Sequence, residues 1–123
     1  MRNPANMIAA ASAVTILFGA LTFAPTKSAL AADDQVAEGK KIAEDRKKGN
    51  CFTCHAYEGA NLPGNIGPPL VAMKSRFPDK QKLYDQIWNA TAANPNTIMP
   101  PFGKHGILSD KEIKAVTDWV YTL

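Results

Sequence analysis

The chain has 123 residues, a net charge of +3, 46% hydrophobic and 20% charged residues, and two cysteines. That is the size of one small domain. With no basic stripe and no recognised binding motif, nothing supports a nucleic-acid partner.

Arg2 is followed by a run from Met7 to Ala24 without a charge, then by Pro25, Lys27 and Ala29-Leu30-Ala31. A positive start, an apolar stretch and an A-x-A site read as a secretory signal covering residues 1–31. The expected cut follows Ala31, with Ala32 as second choice. The apolar run is just long enough to span a thin bilayer as an uncleaved anchor, but its alanines and the A-x-A site favour cleavage. The working domain is then 32–123. Its net charge drops from +3 to +1, because Arg2 and Lys27 leave and no acid does. The protein is expected in the periplasm, free of the membrane once the signal is cut.

Asp33 or Asp34 can cap a first helix running to about Lys48, with Val36, Gly39, Ile42 and Ala43 on one face and Gly49 as the stop. Lys40, Lys41, Arg46, Lys47 and Lys48 cluster in this stretch and read as a solvated face rather than a docking surface. Just beyond comes Cys51-Phe52-Thr53-Cys54-His55, which takes up both cysteines. C-x-x-C-H is the pattern of covalent c-type haem attachment. Two thiols three positions apart can add to the vinyl groups on one porphyrin edge, and the next histidine can then supply a proximal imidazole. A redox disulfide of the thioredoxin kind expects a βαβ setting that the chain does not suggest. A zinc site wants four ligands, and only His55 and the distant His105 remain.

From Ala56 to about Ala72 the chain is rich in Gly, Pro and Asn and reads as loop. Pro78-Asp79 opens a helix to about Ala90 with Leu83, Tyr84, Ile87 and Trp88 as its apolar stripe. Asn94-Pro95-Asn96 breaks it, and Pro100-Pro101 and Gly103 keep the next segment irregular. Ser109-Asp110-Lys111-Glu112 is a capping box that starts a last helix with Ile113, Val116, Trp119, Val120 and Leu123 on one face. The expectation is an all-α domain of three or more short helices, whose long loops wrap a large group. A porphyrin would serve so small a domain as a staple. Met99, held between Ile98 and Pro100-Pro101, is the candidate sixth ligand, which would raise the reduction potential and close the iron to substrates. Met73 reads as core filler and His105 as a solvent-facing loop histidine.

The chain resembles the class I cytochromes c across almost all of residues 32–123. Gly39-Lys40-Lys41-Ile42 is similar to that family's N-terminal helix, whose glycine lets the C-terminal helix cross closely. Val116 and Trp119 match the crossing partner. Ala43 departs from the pattern, where an aromatic residue is usual. The resemblance implies one covalent haem c on Cys51 and Cys54, with His55 and Met99 as axial ligands of the iron. Gly67-Pro68 matches the loop whose proline carbonyl accepts a hydrogen bond from the proximal histidine, which implies a contact from His55 Nδ1–H to Pro68 that orients the ring.

A narrower resemblance rests on an ordered set of segments: residues 63–70, Arg76-Phe77-Pro78-Asp79, Gln86-Ile87-Trp88-Asn89-Ala90, Asn94-Pro95 and Met99-Pro100-Pro101-Phe102-Gly103. Together they are similar to the SoxX family, the monohaem subunits of the sulfur-oxidation complex SoxAX. That likeness implies a heterodimer with a haem-bearing SoxA-like subunit. The complex couples thiosulfate oxidatively to a cysteine of the carrier SoxYZ, an L-cysteine S-thiosulfotransferase activity. The bond-forming site is expected in the partner, so this chain would carry no catalytic residue. It would pass electrons to a downstream cytochrome. The alternative is a freestanding periplasmic shuttle of the same fold. Trp88 and Arg76 are further candidates for contact with the haem propionates.

Overall fold

The computed structural model describes residues 27–123, so the expected leader lies, up to residue 26, outside the described residues. The chain runs through helix α1 (Lys27–Glu44), a 3₁₀ turn (Cys51–Thr53), α2 (Met73–Arg76), α3 (Lys80–Trp88), α4 (Ala90–Ala93) and α5 (Asp110–Val120). There is no strand among the described residues, so the architecture is all-α as expected. None of the described helices is long and apolar enough to cross a membrane. Helix α1 begins before the expected cut, and cleavage after Ala31 would leave residues 32–44 of it.

The frame is the crossing of α1 and α5. Ile42 and Ala43 from α1 are buried against Ile113, Val116, Trp119 and Val120 from α5. Gly39 sits at the crossing, where a Cβ would run into the Ala115 carbonyl and come within 3.0 Å of Trp119 Cβ. Leu83 and Ile87 of α3 complete the layer behind α5. Each such side chain, fully buried, contributes roughly 1.5–3 kcal/mol. Met73 of α2, 2% exposed, plugs the core, and its N–H bonds to the Leu123 carbonyl at 2.9 Å, tying down the C-terminus.

Helix boundaries follow local polar chemistry. Helix α1 stops at Glu44, four residues short of the expected Lys48. There the Asp45 side chain accepts the Lys47 N–H at 2.8 Å and the Asp45 carbonyl accepts the N–H groups of Lys48 and Asn50. These bonds compete with the helical ladder and wind the chain into a turn. Gly49 closes that turn onto the helix, donating to the Ile42 carbonyl at 3.1 Å. Helix α3 begins on the Asp79 cap, whose side chain accepts from Gln81 N–H. It ends two residues before the expected Ala90, because the Trp88 carbonyl is taken by the N–H groups of Gly103 and Lys104 at 3.0 and 3.2 Å. Ala90–Ala93 then forms a separate short turn of helix. Helix α5 starts as its capping box requires: the Ser109 side chain accepts from Glu112 N–H, and the Glu112 carboxylate accepts from Ser109 N–H at 2.9 Å.

The basic cluster does not form one surface. Lys40 and Lys41 pair along α1 with Glu44 and Glu38, contacts worth little when exposed. Arg46 lies over the Phe52 ring, 5.5 Å from its centroid. Lys48 reaches Glu112 at 2.6 Å, bracing the turn before the C-x-x-C-H segment against the start of α5. The hydrogen bonds from Lys48 and Ser109 pull the Glu112 carboxyl from 4.5 down to about 2. A depressed carboxyl stabilises the fold above its unfolded value, and that contribution drains away as pH falls from 4.5 toward 2. Glu112→Gln keeps a capping residue and removes the charge. Its urea midpoint, followed against pH, should show a shallower loss than the parent's across that acid window.

Candidate functional site

Cys51, Cys54 and His55 lie on a single tight turn. The Cys51 carbonyl accepts from both Cys54 N–H at 3.2 Å and His55 N–H at 2.9 Å. Asn50 precedes it in the left-handed region, with φ of 49°, a conformation asparagine tolerates well. The Asn50 side chain takes the Thr53 hydroxyl at 2.7 Å. The two cysteines are half-buried and unpaired, three positions apart on the turn. Burial pushes the Cys51 thiol up to about 11, the opposite of what a thiolate nucleophile in a redox pair needs. Among the described residues no three His, Cys, Asp or Glu side chains gather as a metal site.

The glycine-rich loop is stitched along this turn. Gly64 N–H donates to the Phe52 carbonyl, Gly67 N–H to Cys54 and Leu70 N–H to Ala56, each at 2.8 Å. Two glycines make so close a course possible. A Cβ at Gly64 would overlap the Thr53 carbonyl, and one at Gly67 would overlap the His55 ring. Against that glycine the imidazole lies with its Nδ1 2.7 Å from the Pro68 carbonyl. A carbonyl only accepts, so Nδ1 is the donor in this contact, and Nε2 is the ring nitrogen left for a metal. Behind the turn, Tyr57 packs edge-on to Trp119 at 5.0 Å. Its hydroxyl reaches Glu44 at 3.3 Å, and burial pushes it up to about 12.

The second segment, residues 94–108, is pinned at several points. The Asn94 side chain accepts from Asn96 N–H at 3.1 Å, and the Thr97 hydroxyl accepts from Met99 N–H at 3.2 Å. Phe102 is buried, and its carbonyl accepts from Ile107 and Leu108 N–H. Met99 is half-buried at the margin of the core, and Cys51 and Phe52 pack on the margin of that same core. His105 is exposed in its loop.

Trp88 and Arg76 both find partners within the protein. The Trp88 indole N–H donates to Asp110 at 3.3 Å, with the ring pressed on Gly103, where a Cβ would overlap it. A carboxylate of the protein's own thus takes the donor that sequence alone offered to a propionate. Arg76, exposed on the surface, donates to the Pro69 carbonyl at 2.7 Å and touches the Met73 sulfur at 3.5 Å, so part of its guanidinium is engaged within the protein. That brace had one faint signal in the sequence: Pro68-Pro69 has no N–H of its own, so its anchoring must come from outside.

The residues present fit a large, flat, apolar group. Leu62, Ile66, Val71 and Ile98 are exposed at 88%, 61%, 50% and 74%. Three of them follow the C-x-x-C-H turn and the fourth adjoins Met99. Exposed apolar side chains in the segments that flank the motif and Met99 are what an apolar prosthetic group lying there would cover. Two free thiols on one turn and an imidazole held through Nδ1 are the donor set that a covalently attached haem would use. Over residues 34–120 the chain matches the family model described as cytochrome c oxidase, cbb3-type, subunit III, and it belongs to that family. It is also 34% identical over 76 residues to an uncharacterized lipoprotein of Aquifex aeolicus (strain VF5). The aligned stretch is 61% of this chain and 37% of that relative, so the chain spans well under half of the relative's length. Haem c is the group the family carries, and it supplies a one-electron couple at iron.

Proposed function

We propose that this protein is a monohaem electron relay in which Cys51 and Cys54 hold the haem and His55 and Met99 ligate the iron. The observation that carries this reading is the His55 ring, fixed between Gly67 and the Pro68 carbonyl. That contact selects the tautomer whose Nε2 can bind metal and holds the ring against rotation. Met99 from the second segment, on the same core margin, would occupy the remaining position. A closed iron exchanges electrons and does no substrate chemistry. The signal-like leader supports work in the periplasm. So does the relative's name, which speaks of a lipoprotein, although here neither cysteine is free to carry a lipid because both lie in the motif.

The fuller reading makes the chain the electron-transfer subunit of a SoxAX-like complex. In that role it accepts electrons from a partner haem during thiosulfate coupling to the carrier SoxYZ and delivers them to a downstream cytochrome. The ordered segments from Pro63 to Gly103 support it. The test is purification of the exported protein from its own cells. Co-elution with a second c-type haem polypeptide is the expected result, together with thiosulfate-dependent haem reduction that needs that polypeptide and the carrier. A monomer reduced equally well without them would instead be a freestanding shuttle.

A further inference from the structure

We propose that Arg76 is a positioning residue for the His55 imidazole, acting through the Pro68-Pro69 segment; this rests on the reading of His55 as an axial ligand. Neither proline has an N–H, and each ring fixes its own φ. The soft angles left in the segment are the two ψ values, which set where the carbonyls point. One carbonyl, of Pro68, faces His55 Nδ1 at 2.7 Å. The next, of Pro69, receives the Arg76 guanidinium at the same distance. The N–H groups of Gly67 and Leu70 fasten the two flanks. Without Arg76, the middle of the segment would be held only by the imidazole it is meant to orient.

Arg76 is well placed for this. It ends α2, where its own N–H bonds to the Ala72 carbonyl at 3.1 Å and the Phe77 N–H bonds to Met73 at 2.8 Å. The nitrogen that reaches Pro69 also rests 3.5 Å from the sulfur of Met73, a core residue. The brace therefore runs from the buried core through a charged donor to the proline pair. A charge-assisted hydrogen bond is the stronger kind.

The consequence has a sign. A firmly held Pro68 carbonyl draws on the Nδ1–H, makes the imidazole a better donor and so favours oxidised iron. Loosening the brace should raise the midpoint potential. A role as a mere positive charge, including pairing with a propionate, predicts the reverse, because losing a cation also favours the oxidised state. Arg76→Lys keeps the charge and loses the fork geometry; Arg76→Gln loses both.

The experiment compares holoprotein of the parent and the two variants by NMR exchange of the His55 Nδ1–H in the reduced state and by redox titration. In both variants the Nδ1–H should exchange faster, on the order of tenfold for one lost charge-assisted bond, and in Arg76→Lys the midpoint should rise. Unchanged exchange in both variants, or a midpoint in Arg76→Lys that stays or falls, overturns the proposal while leaving His55 as the ligand. A parent protein with haem but no histidine ligation overturns both.

Discussion

Met99→Ala should abolish the far-red iron–sulfur charge-transfer band of the oxidised protein and lower its midpoint potential. A thioether opposite an imidazole favours reduced iron. Its loss leaves a site open to water or stronger-field ligands, and a fall of about a tenth of a volt or more is modest within the ~0.8 V that axial ligation spans. Met99 is only half-buried, so the fold should tolerate the change. Met73→Ala is the matched contrast. Met73 is 2% exposed in the core and in contact with Arg76, so its truncation should cost roughly 2–5 kcal/mol of stability and spare the band. Survival of the band in Met99→Ala, or its loss only in Met73→Ala, would transfer the ligand role away from Met99.

Gly39→Ala should be among the most destabilising single changes in the chain. The added Cβ would lie within the Ala115 carbonyl group and 3.0 Å from Trp119 Cβ. The space is bounded by the backbone of α5 at Ala115 and by the Cβ of Trp119, so no flexible side-chain end can swing away. Helices α1 and α5 would have to part, loosening Ile42, Ala43, Val116 and Trp119 together. Overpacking of this kind costs on the order of 3 kcal/mol or more, a large share of the 5–15 kcal/mol that holds a small domain together. Urea unfolding of the holoprotein measures it. A midpoint within error of the parent's would mean that the crossing is looser than its geometry states.

What the sequence made legible was whatever rests on local pattern. The capping box at Ser109 and the apolar stripe behind it are local, and α5 begins where they place it. Gly39 at the helix crossing was readable only through the resemblance to the class I cytochromes c, and the structure supplies its reason, the Ala115 carbonyl against it. The fold class followed from these helices and the loops between them. Other features depend on partners distant in the chain. Helix α3 stops at Trp88 because Gly103 and Lys104 take its carbonyl, a contact no periodicity encodes. The end of α1 turns on whether the Asp45 side chain bonds outward or back to Lys47. Trp88 and Arg76 were recognisable as polar tips near the site, but the choice between Asp110, Pro69 and a propionate is tertiary. Helix α2, four residues long, is too short to carry a period at all.

The intact mass of the denatured, exported protein tests the central claim most directly. A haem bound through thioethers to Cys51 and Cys54 survives denaturation, so the expected mass is that of the mature polypeptide plus one haem. The mass of the polypeptide alone, or of the polypeptide less two hydrogens lost to a Cys51–Cys54 disulfide, would contradict the electron-relay account.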